Sequence, residues 1–423
     1  MKNFISLLIL LGSLSACSTV EPDVSIEKSG NRFILKRNGM EFFINGAVGF
    51  TNPALLESCG ANSVRIGGDF DNNLRKADSL GLTALVSLPM QAERRGFDYD
   101  DEMPVKQQTE DLLKTVRLIM FHKSILMWAV GNELDFIPGS KPYKLSVWNA
   151  VNEVAKQIKL IDPAHPVMTV IGTSRFEKVK DIIQRCPDID LLGVNAYGDM
   201  KEIPGLLKKF GWTKPYVFTE WGVSGYWEVP KTKWNAPFEE NSSRKAALYD
   251  EKYKTLILAD SDQCLGSYVF YWGYRQETTP TWFNLLDGEG NYSEAVNVMR
   301  QYWTGRPVDN HAPRIDSLKL DGKSFYSNIS LAPGVTDTAS VFADDPENDS
   351  LTIRWEVRPE AVYADYAGQG EVTPRVVPGC ITDDNKKIIS FKSPSTAGAY
   401  RIYVYLYDGK KHFAAANFPF YVK

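Results

Sequence analysis

The chain has 423 residues, a formal net charge of −4 and 12% aromatic residues. A chain of this length can bury a large hydrophobic core and has room for two or three domains. The slightly acidic balance excludes the strongly basic class of protein that binds nucleic acid, so no nucleic-acid partner is expected.

The N-terminal residues have the pattern of a secretion signal. Lys2 is followed by an apolar run at 4–11, and Leu14-Ser15-Ala16 leads into Cys17, after which the sequence becomes polar. This pattern predicts a lipoprotein signal peptide over residues 1–17, with a lipobox that ends at a lipid-attached Cys17. An ordinary signal peptide with a chance cysteine is the alternative. We therefore expect a membrane partner through this anchor, in the bacterial cell envelope, at the surface or the periplasmic face of the outer membrane.

The other cysteines and the histidines give no sign of a disulfide framework or a catalytic metal. The cysteines are widely spaced without a CxxC pair, which favours buried free thiols. The four histidines form neither an HExxH motif nor a paired-ligand spacing. We therefore predict no metal and no cofactor. The cysteines are Cys59, Cys186, Cys264 and Cys380, and the histidines are His122, His165, His311 and His412.

A polar segment and a hairpin follow the signal. Residues 18–30 are predicted to form a tether. Strands are predicted at 32–36 and 40–43, joined at Asn38-Gly39, because Asn-Gly is the strongest short signal for a two-residue hairpin turn.

Strand-like and helix-like patterns then alternate. Apolar runs predict strands at 44–49, 62–66, 82–88, 125–130, 166–171, 190–195, 215–219 and 265–271. Apolar residues at three-to-four spacing predict helices near 53–59, 71–80, 107–121, 145–160, 176–184, 202–210, 242–259 and 293–302. Eight strand–helix repeats match an α/β fold of the (β/α)8 TIM-barrel type, assigned to residues 31–305. A doubly wound open sheet is the alternative, but no glycine-rich phosphate loop follows the first strand.

A linker is predicted at 304–313, because this segment contains the turn-forming residues Gly305, Pro307, Asn310 and Pro313. A second domain is predicted to follow it. Strand patterns recur at 315–320, 340–343, 351–357, 387–391, 400–407 and 412–422. They predict a C-terminal all-β sandwich over residues 311–423. The runs DDPENDSLTIRW and AYRIYVYLYDG resemble immunoglobulin-like or PKD-like modules. The acidic turn at 344–349 can hold calcium, although solvated turn residues are the more usual cause of such a sequence.

Two buried strands are predicted to end in a glutamate. The run ILMWAVGNE closes with Asn132-Glu133, and the run YVFTE closes with Glu220. Parallel barrel strands end at one face, where TIM barrels hold their active sites, so these carboxylates should face each other. Cleavage of a glycosidic bond needs such a pair, an acid for the leaving oxygen and a carboxylate for the anomeric centre. A salt-bridged residue at the rim is the alternative for either glutamate alone.

Other side chains at strand ends suit the same chemistry. Asn132 can donate a hydrogen bond to a sugar 2-hydroxyl, and Arg65 would keep a neighbouring carboxylate ionised. Tyr197 can donate to the same carboxylate. Trp272 is predicted to be a platform for a sugar ring, and Trp221 a further substrate-binding residue. Packing of the long loops is the alternative role for such aromatic side chains.

The runs WAVGNEL and FTEWG and the arginine in NSVRIGG resemble the glycoside hydrolases of clan A, over nearly all of residues 40–303. The resemblance implies a retaining (β/α)8 enzyme with Glu133 as general acid/base and Glu220 as nucleophile. Family 2 members carry β-sandwich domains before the barrel, and too little chain precedes the first strands here. A barrel followed by one immunoglobulin-like domain, with the run GSYVFYWGYRQETTPTWFNLL, resembles glycoside hydrolase family 158, a group of bacterial β-1,3-glucanases.

The expected function is therefore hydrolysis of a polysaccharide, with an endo-β-1,3-glucanase acting on β-glucan as the first expectation. A β-glucan transglycosylase using the same residues and another clan A enzyme such as a β-mannanase are the alternative enzymes. A glycan-binding lipoprotein is the alternative from another class of protein. It has no need for both Glu133 and Glu220, so the presence of both carboxylates argues against it.

Overall fold

The computed structural model describes residues 23–137, 142–361 and 371–423. The predicted signal peptide and the lipid-attachment residue Cys17 lie outside these ranges. In the described ranges, no helix has both the length and the apolar character that a membrane span requires.

Three short strands precede the barrel. β1 (Val24–Ser29) pairs antiparallel with β2 (Arg32–Arg37), and β2 pairs antiparallel with β3 (Met40–Glu41). Asn38 and Gly39 both have positive φ, 50° and 76°, as the predicted two-residue hairpin turn requires.

Part of the predicted tether is therefore a strand, and this corrects the prediction for residues 24–29. Val24 is buried and Ile26 partly buried, in the same apolar cluster as the barrel residues Leu126 and Val217. The backbone N–H of Val24 also bonds to Ala164 O, in the segment before the fifth barrel strand. The polar residues Ser25 and Glu27, which alternate with these two apolar ones, hid a half-buried strand. The small sheet covers the end of the barrel where its strands begin, which leaves the opposite end for the active site.

Eight parallel strands form a closed barrel, and this confirms the predicted TIM barrel. The barrel strands are β4 (Ile44–Val48), β5 (Ser63–Ile66), β6 (Thr83–Leu88), β7 (Ile125–Asn132), β8 (Val167–Gly172), β9 (Leu191–Ala196), β10 (Tyr216–Trp221) and β11 (Cys264–Val269). The helices are α1 (Pro53–Ser58), α2 (Phe70–Leu80), α3 (Glu102–Ile119), α4 (Ser146–Ile161), α5 (Lys178–Arg185), α6 (Ile203–Lys209), α7 (Ser242–Lys252) and α8 (Glu294–Thr304). A π-helical segment, Tyr253–Leu258, continues α7.

The C-terminal domain consists of two four-stranded sheets with buried apolar faces, as predicted for a sandwich. One sheet has the order β13-β12-β15-β17 and the other the order β14-β19-β18-β16. The strands are β12 (Arg314–Leu320), β13 (Lys323–Ser324), β14 (Ser330–Leu331), β15 (Thr336–Asp344), β16 (Thr352–Pro359), β17 (Ile388–Lys392), β18 (Gly398–Tyr407) and β19 (Phe413–Val422). The four cysteines in the described part of the chain are free and buried.

The sandwich packs directly on the barrel. Helix α7 contacts β12 and β19. The fully buried Arg401 of β18 donates to Pro237 O, and Asn417 of β19 donates to Glu239 Oε2, both in the loop after β10. The loop that follows the predicted nucleophile is therefore held by side chains of the second domain.

Candidate active site

The two predicted catalytic glutamates lie at the carboxyl ends of β7 and β10, two barrel strands that are separated by β8 and β9. Glu220 is the fifth residue of β10, and Glu133 directly follows β7. Glu133 has φ +48°, a conformation that turns the chain at the strand end, and its backbone N–H bonds to Val170 O of β8. The structure thus brings the two carboxylates to the mouth of one barrel.

Arg65, at the end of β5, organises the nucleophile side of this mouth. Its Nη1 donates to Glu220 Oε1 at 2.8 Å and its Nη2 to Asn132 Oδ1 at 2.7 Å, while Nε donates to Ser87 Oγ at 3.0 Å. The side chain is 7% exposed, so its charge is little screened by water. The Arg65 guanidinium therefore forms a largely buried ion pair with the Glu220 carboxylate.

Asn195 links the two carboxylates and was missed in the sequence analysis. Its Nδ2 donates to Glu133 Oε1 at 2.8 Å and to Asn132 Oδ1 at 3.1 Å. Its Oδ1 accepts from Thr219 Oγ1 at 2.8 Å and from Arg65 Nη1 at 3.3 Å. The available signal was an amide near the end of the apolar strand LLGVNA, two residues before Tyr197.

Tyr197 lies where the sequence placed it and contacts the nucleophile. Its hydroxyl donates to Glu220 Oε2 at 2.9 Å. Burial and the negative charge of Glu220 raise the pKa of Tyr197 well above its usual value, so the hydroxyl keeps its proton. Glu220 therefore has a donor on each oxygen, Arg65 on one and Tyr197 on the other.

Glu133 has the opposite electrostatic environment. Burial is the main cause that raises the pKa of its carboxyl, and the negative charge of Glu220 raises it further, against a smaller lowering by the hydrogen bond from Asn195. A carboxyl with a raised pKa next to an arginine-paired carboxylate is the arrangement of a general acid beside a nucleophile.

Asn132 has its side-chain oxygen occupied by two donors, Arg65 and Asn195. Its Nδ2 group is the part of the amide that can donate to a substrate hydroxyl. Asn132 lines the cavity at the barrel mouth, so this donor has access to a ligand.

The cavity at the barrel mouth has a volume of about 570 Å³. Its walls include Glu220, Arg65 and Asn132, with aromatic rings from Phe50, Phe270 and Tyr271. Three guanidinium groups from loops, those of Arg94, Arg95 and Arg275, also line it.

Neither the predicted platform role of Trp272 nor the predicted substrate-binding role of Trp221 fits this geometry. Both side chains are fully buried, so neither presents a ring face to a sugar. Trp272 packs beside Trp303, and Trp221 packs against Tyr249 and Tyr253 behind the barrel strands. The physical reason is that the chain beyond β11 turns the side chain of Trp272 into the core.

The two aromatic residues that precede Trp272 in the sequence line the cavity instead. Phe270 and Tyr271 line the cavity, and the guanidinium of Arg275 lies 5.0 Å from the Phe270 ring and 5.1 Å from the Tyr271 ring. The sequence thus predicted an aromatic side chain at this strand end, Trp272, but the cavity wall is formed by Phe270 and Tyr271.

A buried ion pair lies behind Glu133. Lys178 of α5 pairs with Asp135, both side chains are 1% exposed, and Lys178 also donates to Gly172 O at the end of β8. Arg94 donates to the backbone carbonyl of Glu133. These contacts hold the left-handed turn at Glu133, the acid/base candidate. None of them was predicted, because the sequence analysis identified polar residues at the ends of apolar strands and these residues lie elsewhere.

Among the described residues, one group of acidic side chains has the spacing of a metal site, and it belongs to the sandwich rather than to the barrel mouth. The candidate active site consists instead of two carboxylates, one arginine, two amides and a tyrosine.

No protein-family model and no curated protein sequence matches this chain. Solved structures do. A calcium-binding mutant of Bacteroides uniformis β-glucuronidase 2 is similar with a TM-score of 0.53 and 15% identity, covering 94% of this chain and 47% of that one. Parabacteroides merdae β-glucuronidase with glycerol in its active site has a TM-score of 0.50 and 14% identity, covering 95% of this chain and 51% of that one. This chain thus spans about half the length of these neighbours.

A family 5 mannosidase from Rhizomucor miehei is also similar, with a TM-score of 0.48 and 15% identity over 66% of this chain and 96% of that one. At these identities the likeness to the two β-glucuronidases establishes a shared fold alone, a TIM barrel with β domains. The clan A resemblance rests on the sequence runs. The finer resemblance to family 158 stays a prediction.

Proposed function

We propose that this protein is a retaining β-glycoside hydrolase. The observation that carries the proposal is the contrast between its two carboxyl groups, since Glu220 bonds to Arg65 and Tyr197 while burial raises the pKa of Glu133. One group is thereby suited to attack and the other to give a proton.

In the first step, Glu133 protonates the glycosidic oxygen while a Glu220 oxygen attacks the anomeric carbon, which gives a glycosyl ester of Glu220 and a free leaving group. In the second step, the ionised Glu133 takes a proton from water, whose oxygen attacks the anomeric carbon and releases Glu220. Asn132 Nδ2 is placed to donate to the 2-hydroxyl during both steps. For this double displacement the two carboxyl groups should lie about 5 to 5.5 Å apart.

The finer proposal is endo-β-1,3-glucanase activity. Its support is the resemblance of GSYVFYWGYRQETTPTWFNLL to family 158. A cavity wall with several aromatic rings suits a pyranose substrate, because apolar ring faces stack on them. β-Mannan is the alternative polymer. A transglycosylase would use the same residues with a sugar hydroxyl in place of water.

We further propose that Cys17 anchors the protein by lipid in the bacterial cell envelope. The support is the sequence pattern at residues 14–17. Replacement of Cys17 by Ala should prevent labelling by fatty acid and release the protein from the membrane fraction. A Cys17→Ala protein that still carries fatty acid would contradict the anchor.

One panel of substrates tests the activity. The protein is incubated with β-1,3-glucan, β-1,4-glucan, mixed-linkage glucan and β-mannan, and the products are identified by chromatography together with their anomeric configuration. We expect cleavage of β-1,3-glucan with retention. Longer oligosaccharides than the substrate would indicate transglycosylation, and binding without products would indicate a glycan-binding protein.

The catalytic assignment is tested in the same assay. Glu220→Gln should lose turnover of every substrate. Glu133→Gln should lose roughly 10²–10⁴-fold on natural glycans and much less on aryl glycosides, whose leaving group needs little protonation. Glu110→Gln, on the exposed face of α3, is the matched control and should retain full activity. Near-normal rates for Glu220→Gln, or products of inverted configuration, would contradict the mechanism.

A further inference from the structure

Two turns of the sandwich bring three carboxylates together, far along the chain from the catalytic residues. The turn after β15 carries Asp345 and Asp349, and the turn between β18 and β19 carries Asp408. One ligand atom of each lies within 4.8 Å of those of the other two. Asp345 and Asp408 are 7% and 5% exposed, so the cluster is not a solvated surface patch.

The Asp345 carboxylate is only half satisfied. Its Oδ1 accepts hydrogen bonds from the backbone N–H groups of Glu347 at 3.1 Å and Asp349 at 2.8 Å. Its Oδ2 is buried and has no donor within the described part of the chain. A buried carboxylate oxygen without a partner is costly, and a bound cation removes that cost.

The local charge also attracts cations. Lys410 Nζ lies 2.8 Å from Asp349 Oδ2, with a side chain that is 54% exposed. Asp408 is held rigidly, because its oxygens accept from Asn310 Nδ2 and from the backbone of the turn at 410–412. Hydrogen-bonded carboxylates of this kind are common as metal ligands.

We propose that Asp345, Asp349 and Asp408 bind one calcium ion. Calcium takes oxygen ligands at about 2.3 to 2.6 Å, so ligands on opposite sides of the ion lie up to about 5 Å apart, which the separation of these carboxylates satisfies. The absence of nitrogen and sulfur from the three ligands favours a hard cation over zinc or copper. Turn carbonyls and water complete the coordination, and the half-exposed Lys410 side chain swings into solvent.

The ion would join the two turns that hold the linker between the domains. Asn310 donates to Asp408 Oδ2 at 2.7 Å, and the backbone N–H of His311 donates to Glu347 Oε2 at 3.1 Å. A calcium ion that holds both turns in place would also hold these two hydrogen bonds to the linker in place. The site is therefore structural, and its occupancy should strengthen the attachment of the sandwich to the barrel.

Calcium titration of the whole chain tests this proposal. After removal of metal with EDTA, isothermal titration calorimetry should give one calcium site per chain, with a Kd at or below about 10⁻³ M, the range of extracellular calcium modules. The Tm should rise by several degrees in calcium and by less in the same concentration of magnesium. No calcium heat and no Tm shift, or an equal response to magnesium, would overturn the proposal.

Three variants locate the site. Asp345→Asn keeps the shape of the side chain and should abolish calcium binding, whereas Asp383→Asn, an exposed aspartate of the same domain, should leave it unchanged. Lys410→Ala retains all three carboxylates and removes the competing ammonium, so it should lower the calcium Kd several-fold. The alternative is that Lys410 itself neutralises the three carboxylates permanently. Lys410→Ala should then lower the Tm equally with and without calcium, and that result would contradict the proposal. This test does not depend on whether Asp345→Asn folds.

Discussion

At the residue scale, Arg65 supports both sides of the candidate site. It donates to Glu220 and Asn132 directly and to Asn195, which in turn donates to Glu133. A guanidinium can do this because its donors form a fixed planar fork. The position of Asn132 therefore depends on the same side chain that pairs with the candidate nucleophile, Glu220.

Arg65→Lys should consequently be severe. A lysine can neutralise Glu220 but cannot reach Ser87, Asn132 and Asn195 at once, so we expect a loss in kcat of about 10²–10³-fold, comparable to losing one positioned donor in other enzymes. Steady-state kinetics on an aryl β-glycoside measures it. Arg75→Lys, in an exposed ion pair on α2, is the control and should change kcat little. Equal kinetics for both variants would show that charge alone suffices at Arg65.

The raised pKa of Glu133 predicts a pH dependence of activity. The general acid must carry its proton, so kcat/KM should fall as pH rises through the Glu133 pKa. Burial and the charge of Glu220 raise that pKa. The alkaline limb of the kcat/KM profile should therefore be centred at a pH above the ordinary glutamate pKa of about 4.3. The limb should be absent in Glu133→Gln assayed with an aryl glycoside. If the limb persists in that variant, another group is responsible for it.

The same shift predicts a pH dependence of stability. A native-state pKa above the unfolded value means that the native state binds the proton more tightly, so stability is lost as pH rises from the unfolded pKa to the native pKa. Glu133→Gln removes this loss. The Tm of the variant should exceed that of the wild type at pH 7, and the difference should disappear at a pH below both values. Thermal unfolding at pH 3 and pH 7 measures it, and a variant less stable than wild type at pH 7 would contradict the prediction.

The site residues that the structure brings together as the sequence predicted share one property: each lies at the end of a barrel strand. Arg65, Asn132, Glu133 and Glu220 are polar groups that interrupt apolar runs, and the topology brings such interruptions to one face. Trp272 was misassigned because an apolar side chain at a strand end fits a core as well as a cavity. Asn195 was missed because its partners come from three other strands.

At the scale of elements, strand positions were predictable and loop positions were not. Eight apolar runs correspond to β4 through β11 within a few residues, because buried parallel strands are nearly continuous apolar segments. The two-residue strands β13 and β14 were missed because they are too short for any periodicity. Long loops after β10 and β11 carry no repeating pattern, and their contacts are set by the barrel they cover.

The loop after β10 presents an exposed aromatic side chain beside the nucleophile. Trp227 is 52% exposed and its ring contacts Tyr197 edge-on at 5.5 Å, next to the hydroxyl that donates to Glu220. A ring in this position can stack on a sugar unit at the edge of the site. It is a better candidate for a platform than the buried Trp272.

Trp227→Ala should raise KM for a polysaccharide by about 5- to 100-fold, as expected for one lost stacking contact of roughly 1 to 3 kcal/mol, and should change kcat on a short aryl glycoside little. Phe121→Ala is a matched control, since this 79% exposed ring precedes β7 at the opposite end of the barrel. A similar KM for Trp227→Ala and wild type on the polysaccharide would remove Trp227 from the binding site.

At the scale of the whole molecule, a buried polar network joins the two domains. Glu239, in the loop after β10, accepts from Lys245 at 2.5 Å and from Asn417 of the sandwich at 2.6 Å. Arg401 of the sandwich pairs with Glu360 at 3.0 Å and donates to Pro237 O at 2.8 Å. Burial opposes ionisation of Glu239, but Lys245 and Arg401 outweigh it and lower its pKa. The interface therefore depends on complete pairing of charges.

The loop held by this network begins directly after β10, the strand that carries the candidate nucleophile Glu220, so the sandwich contributes to the order of the candidate site. The sequence predicted both domains from their different periodicities. It gave no sign of their contact, because Arg401 and Glu239 lie 162 positions apart in ordinary-looking segments. A pair of this kind becomes visible only when the strands and loops are placed.

Arg401→Met tests the network. The change fills a similar volume but leaves Glu239 and Glu360 with less compensating charge in a buried setting, and breaking such a pair costs about 3–5 kcal/mol. We expect a large fall in Tm and, in the folded protein at low temperature, a reduced kcat, since the loop after β10 is released. Arg354→Met, also in the sandwich, removes an exposed ion pair with Glu289 of the barrel loop after β11; it should cost about 0–1 kcal/mol and leave kcat unchanged. Equal effects of the two changes on Tm, measured by calorimetry at one pH, would show that the buried network does not hold the domains together.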